Sequence, residues 1–179
     1  MNISSLAVFC GSKSGVNKIY IEHAIKIGQL LAQNNIRLIY GGGSNGIMGA
    51  IANSVMTNGG KVSGVIPRLL TDKEHQHDNI TELTVVDDMH IRKRKLYDLC
   101  DAALILPGGF GTMDELFEIL TWNQLFIHNK LIFLLNSGGY YNYLLQHLHQ
   151  MEAEGFLYEK TEESLRLLNK PEEILPFLK

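Results

Sequence analysis

The chain has 179 residues, 45% of them apolar, and a formal net charge of −3; that length and apolar share predict one α/β domain with a buried core over residues 1–179. The weakly acidic balance argues against a nucleic-acid binder, whose affinity rests on many phosphate contacts from a basic surface. No run of about 18 apolar residues occurs, and residues 1–10 read as a strand without a basic leader, so no membrane partner, no signal peptide and a cytoplasmic location are expected.

In chain order, a strand at 6–10 leads to a helix at 17–33. A strand at 37–40 leads to a helix at 46–58, and a strand at 61–66 is followed by a connection. A strand at 81–86 leads to a helix at 88–100, a strand at 102–106 to a helix at 112–127, and a strand at 131–135 to a helix at 139–154. Shorter helices are expected after Thr161 and Pro171. The strands are short and rich in Val, Ile and Leu, as strands buried on both faces must be, and they alternate with helical segments. The fold expected is a Rossmann-like, doubly wound parallel sheet flanked by helices. Such sheets bind ligands outside the carboxyl ends of their strands, so the loops there carry the functional reading.

Three of those loops share one chemistry. Cys10-Gly11-Ser12-Lys13-Ser14-Gly15 follows the first strand, Gly41-Gly42-Gly43-Ser44-Asn45-Gly46 the second, and Pro107-Gly108-Gly109-Phe110-Gly111-Thr112 the fifth. Each leads into a helix. Glycine lets backbone N–H groups approach a phosphate, and a helix N-terminus adds unsatisfied donors and partial positive charge. A single such loop is equally a tight turn; three together favour an anion site. Gly41, Gly43 and Gly46 also match G-x-G-x-x-G, but the match follows the second strand and the next strand ends without an acid to hold a ribose diol, so a dinucleotide site is not expected. A phosphotransferase is disfavoured for want of a complete G-x-x-x-x-G-K-[ST] loop.

Helical phase sorts the charges. At about 100° per residue, Met89, Leu96 and Cys100 share a stripe flanked by Arg92 and Lys93, while Arg94 points away. Two cations leaning toward a core need a protein carboxylate or a bound anion. On the next helix Glu115 shares its phase with Ile119, Trp122 and Phe126, whereas Asp114 and Glu118 face outward. Glu115 thus sits in the first turn beside the third glycine loop, within reach of a ligand. The connection at 67–80 is long enough for a lid, with Glu74 its candidate contact. His75 and His77 within it read as exposed side chains rather than ligands, and no metal is expected. Cys10 and Cys100 read as free thiols, Cys10 as a strand-end core residue.

The elements Gly41-Gly42-Gly43 with Gly46, Met89-His90-Ile91-Arg92-Lys93 and Pro107-Gly108-Gly109-Phe110-Gly111-Thr112-Met113-Asp114-Glu115 resemble the Lonely Guy family of cytokinin riboside 5'-monophosphate phosphoribohydrolases. The similarity extends to Gly138-Gly139-Tyr140-Tyr141-Asn142 and Glu154-Gly155-Phe156. It implies hydrolysis of the N-glycosidic bond of adenosine 5'-monophosphates, N6-prenylated AMP or AMP itself, to free base and ribose 5-phosphate. It implies no cofactor, and a homodimer. By resemblance Arg92 and Glu115 are the catalytic pair, Lys93 is the second residue of the basic element, and Gly108, Gly109, Gly111 and Thr112 form the phosphate-binding turn; the other expected substrate contacts are Gly11, Ser12, Gly42, Gly43, Gly46, Glu74 and Met89. An older labelling of such sequences as lysine decarboxylases has no support, since nothing marks a lysine as a pyridoxal phosphate anchor. The alternative from another class is a non-catalytic nucleotide or cofactor carrier on the same fold, because phosphate loops establish binding more securely than catalysis.

Overall fold

Side chains in the first strand alternate between two apolar layers: Leu6, Val8 and Cys10 join one core, Ala7 and Phe9 the other. A strand buried on both faces must be central. In the computed structural model, which describes residues 3–71 and 76–178, that strand lies in the middle of one sheet. The elements are β1 (Ser5–Phe9), α1 (Ile19–Gln33), β2 (Arg37–Tyr40), α2 (Gly46–Thr57), β3 (Val62–Pro67), β4 (Glu82–Val86), α3 (Met89–Leu99), β5 (Ala102–Ile105), α4 (Phe110–Gln124), β6 (Leu131–Leu135), α5 (Asn142–Ala153), α6 (Thr161–Ser164) and β7 (Arg166–Leu168). Short 3-10 turns occupy Arg68–Leu70, Ser137–Gly139 and Pro171–Phe177.

The sheet has seven strands in the order β4-β3-β2-β1-β5-β6-β7, and every pairing is parallel. Ile27, Leu31, Ile51 and Val55 of α1 and α2 cover one face; Leu96 and Tyr97 of α3, Leu116 and Ile119 of α4 and Leu148 of α5 cover the other. This is the Rossmann-like α/β sheet expected. Among the described residues no helix is long and apolar enough to cross a membrane.

The six expected strands stand within one residue of their expected ends, and a seventh appears at the edge. Its segment had been expected as helix after Thr161. The helix there is one turn, and three residues of β7 are too few for a period-2 pattern to register. Three helix starts also differ by two residues or more, the first being α1, which begins at Ile19. α4 begins at Phe110, inside the glycine loop. α5 begins at Asn142, because Gly138 (φ 58°) and Gly139 (φ 75°) are left-handed and form a turn first. After Pro171 the chain is 3-10 rather than α.

Candidate active site

Three backbone contacts knit the loops that leave β1, β2 and β5. Gly11 N donates to Pro107 O (3.0 Å), Met48 N to Gly11 O (3.3 Å), and Leu106 N to Phe9 O (3.0 Å). Glycine permits the close approach. At Gly46 (φ 59°) a Cβ would lie 2.5 Å from the Ser12 carbonyl, and at Gly108 it would lie 2.1 Å from Thr112 Oγ1. These loops wall a cavity of about 500 Å³, within the roughly 300–1,000 Å³ range of small-molecule sites. It opens between β1 and β5, where the sheet order reverses and ligands of such folds collect.

The charged groups expected there are present. Arg92 is 5% exposed and lines the cavity. Its Nε donates to Val65 O (3.1 Å) and its Nη2 to Gly41 O (3.2 Å), which aims the guanidinium from behind. A Cβ at Gly41 would sit 2.2 Å from Nη2, so the guanidinium keeps this seat only beside glycine. Glu115, 8% exposed, reaches the same cavity from the first turns of α4. The N-terminus of α4 has no side-chain cap on Gly109, and Gly109, Phe110, Gly111 and Thr112 of its first turn line the cavity, where the helix dipole favours an anion. The start of α3 differs, with Asp88 Oδ1 accepting from Ile91 N (2.8 Å).

Of the remaining expected contacts, Gly11, Ser12, Gly108, Gly109, Gly111 and Thr112 line the cavity. Gly42, Gly43, Gly46, Met89 and Lys93 are not among its walls. Gly42 O accepts from His77 N (2.9 Å) and Gly43 bridges Gln76, so the second glycine loop docks the long connection. Met89 Sδ packs on Arg92 Nη1 at 3.8 Å. Of the two partners open to Lys93, the structure supplies carboxylates: Asp114 at 2.7 Å and Glu118 at 3.3 Å. Burial alone disfavours the Lys93 charge, but hydrogen bonds and charge from Asp114 and Glu118 outweigh it and raise its pKa. Glu118 is therefore not the outward residue expected. Tyr97 Oη also donates to it at 2.9 Å. Phe126 lies beyond the helix end, exposed, and not in phase with Glu115. His77 is buried, with Nε2 3.0 Å from Asn53 Oδ1, and not exposed as expected. Glu74 and His75 lie outside the described residues.

Lys13, Tyr20, Met48, Phe110 and Tyr140, not singled out as contacts from the sequence, also line the cavity. Tyr140 carried a signal akin to that of the phosphate loops, a strand followed two residues later by paired glycines. Cys10 belongs both to the core and to the cavity wall. Cys100 lies away from the cavity, and burial pushes its thiol up to about 11.

Residues 48–178 match a family model described as "Possible lysine decarboxylase". The chain is 42% identical over 170 residues to a protein of Oryza sativa subsp. japonica named "Probable cytokinin riboside 5'-monophosphate phosphoribohydrolase LOGL2", covering 95% of this chain and 70% of that one. It is 46% identical over 152 residues to "Cytokinin riboside 5'-monophosphate phosphoribohydrolase LOG7" of Arabidopsis thaliana, covering 85% and 70%. Among solved structures it superposes on the molybdenum cofactor binding protein of Rippkaea orientalis with a TM-score of 0.73 at 20% identity, over 99% and 96% of the two chains. The Moco carrier protein of Chlamydomonas reinhardtii gives 0.71 at 18%, over 97% and 94%. Those two likenesses show a shared fold. The extended identity to the plant enzymes shows more: the chain belongs to the family of cytokinin riboside 5'-monophosphate phosphoribohydrolases, to which the older decarboxylase description is attached.

Proposed function

We propose that the protein hydrolyses the N-glycosidic bond of adenosine 5'-monophosphates, N6-substituted or plain, to free base and ribose 5-phosphate. The observation that carries this reading is that buried Glu115 and buried Arg92 line one cavity beside the uncapped N-terminus of α4. The names of the relatives point to the same reaction.

Breaking the C–N bond builds positive charge on the ribose, and a carboxylate beside the sugar stabilises that charge and deprotonates the attacking water, whose proton balances the one taken up by the nitrogen of the departing base. Glu115 takes this role. Arg92, aimed by its backbone contacts, orients the substrate by charge-assisted hydrogen bonds. Gly11, Ser12, Gly108, Gly109, Gly111 and Thr112 hold the 5'-phosphate. At Gly109 and Gly111 a Cβ would meet no protein atom within 4 Å. Glycine there answers no packing demand, which supports a close approach by ligand. Lys93 serves by joining α3 to α4 through its ion pairs.

The test is release of free base, followed by chromatography, from AMP, from N6-isopentenyladenosine 5'-monophosphate and from the matching nucleosides. Release from the monophosphates alone supports the reading, and the ratio between them reports base preference. Tight retention of nucleotide without base release would turn the assignment to a carrier. We propose further that residues 1–179 act as one nucleotide-binding unit, in the cytoplasm, as a homodimer. Phe110, Phe117, Leu125 and Phe126, exposed along and just beyond α4, support self-association. Light scattering at the mass of a single chain would refute it.

A further inference from the structure

The phosphate turn is held by its carbonyls. Leu106 O accepts from Tyr141 Oη (2.6 Å), Pro107 O from Gly11 N (3.0 Å) and Gly108 O from Tyr140 Oη (2.5 Å). Three consecutive carbonyls are thus occupied by donors from elsewhere in the fold. Because the peptide unit is planar and trans, fixing a carbonyl on residue i fixes the N–H of residue i+1 in the opposite direction. The Gly11 contact therefore aims the Gly108 N–H, and the Tyr140 contact aims the Gly109 N–H.

The peptide between Gly108 and Gly109 most needs such a hold. Glycine on both sides removes the Cβ clashes that resist a flip. A flipped plane would turn a carbonyl oxygen, in place of an N–H, toward an anion. From these contacts we propose that Tyr140 is a positioning residue that sets the Gly108–Gly109 peptide for phosphate binding.

The surroundings of Tyr140 suit that task. Its ring meets Tyr20 edge-on at 5.5 Å and Tyr141 at 4.8 Å. Behind it Asn136 Oδ1 accepts from Tyr141 N (2.7 Å), and Asn136 Nδ2 donates to Asn142 Oδ1 (2.8 Å). The left-handed Gly138 and Gly139 turn the chain so that both tyrosines face the β5–α4 loop. The hydroxyl is thereby delivered by a braced turn, not by a free side chain.

This inference rests on the reading of the turn as a phosphate cradle. Its test is calorimetric titration of wild-type protein and Tyr140→Phe with ribose 5-phosphate, beside the kinetics of base release from the monophosphates. Tyr140 is 42% exposed and its ring packing survives in phenylalanine, so folding is not at risk and the two melting temperatures should agree closely. We expect the ribose 5-phosphate Kd and the KM to rise together by about tenfold, the scale of one hydrogen bond, with kcat within about twofold. Equal Kd values in the two proteins, or no binding by the wild type, would overturn the role given to Tyr140. A fall in kcat with unchanged KM and Kd would do so as well. Wild-type binding of ribose 5-phosphate without base release would remove the proposed hydrolysis, while the change in Kd would still decide this inference.

Discussion

Gly41 and Arg92 form a fitted pair, in which the guanidinium occupies the space a β-carbon would take. Gly41→Ala should displace it and lower kcat/KM by about tenfold to a hundredfold, the range in which small misplacements act. Unchanged kinetics would mean that the guanidinium need not be seated there. Glu115→Gln keeps the shape of the side chain and removes its charge. Turnover should fall at least about a hundredfold while ribose 5-phosphate binding persists, and a folded variant with wild-type turnover would take Glu115 out of the chemistry. Asp101 bears on stability alone. Burial opposes its charge, but Oδ2 accepts from the N and Oγ of both Ser4 and Ser5, and those bonds hold its pKa below the ordinary 3.8. A depressed carboxyl gives stability that is present above its unfolded pKa and lost as pH falls through the folded value. Asp101→Asn should therefore flatten the loss of stability below about pH 4, read by urea unfolding at several pH values; an equally steep acid loss would exclude this role. Arg92 and Glu115 were legible in the sequence because helical phase places a charge relative to a core. Tyr140 was not, because its importance lies in a contact 32 residues away along the chain.

Between elements, the ion pairs of Lys93 decide how α3 presents Arg92 to α4 and its Glu115. The side chain of Lys93 is 12% exposed and that of Glu118 24%, so the pair lies between the surface and buried cases. Lys93→Met should cost about 1–3 kcal/mol in urea unfolding, between the small value of exposed pairs and the larger one of buried pairs. KM should change less than kcat, since the variant shifts the two helices and not the phosphate cradle. A large rise in KM with unchanged stability would return Lys93 to the role of phosphate ligand. The elements themselves were readable wherever burial imposed a strong period, as in β1 and β6. β7 escaped notice because an edge strand of three residues has no pattern to show. The second glycine loop looked like its neighbours in sequence, yet Gly42 and Gly43 pair with His77 and Gln76, a distant partnership that composition does not encode.

Across the whole molecule the cavity joins two halves of one sheet. β1 and α3 supply its wall on one side, the loop after β5 and α4 on the other, with Tyr140 from beyond β6 beside them. A ligand seated there binds the folded chain only, so saturating ribose 5-phosphate should stabilise the entire sheet by about 2.7 kcal/mol at a hundredfold excess over Kd. Hydrogen exchange would show this as slower exchange in β1, β5 and β6 together; protection confined to the loops would mean that the site opens independently of the sheet. The order of the strands also sets an order in time. As the chain leaves the ribosome, β1 to β4 can lay down one half of the sheet while the far edge of β1 waits for β5. Arg92 arrives before that edge is covered, Glu115 only afterwards, and Tyr140 later still. A nascent chain therefore has no complete pocket for a nucleotide until Tyr140, beyond β6, has been made, and free nucleotide in the cell can assist its folding only late.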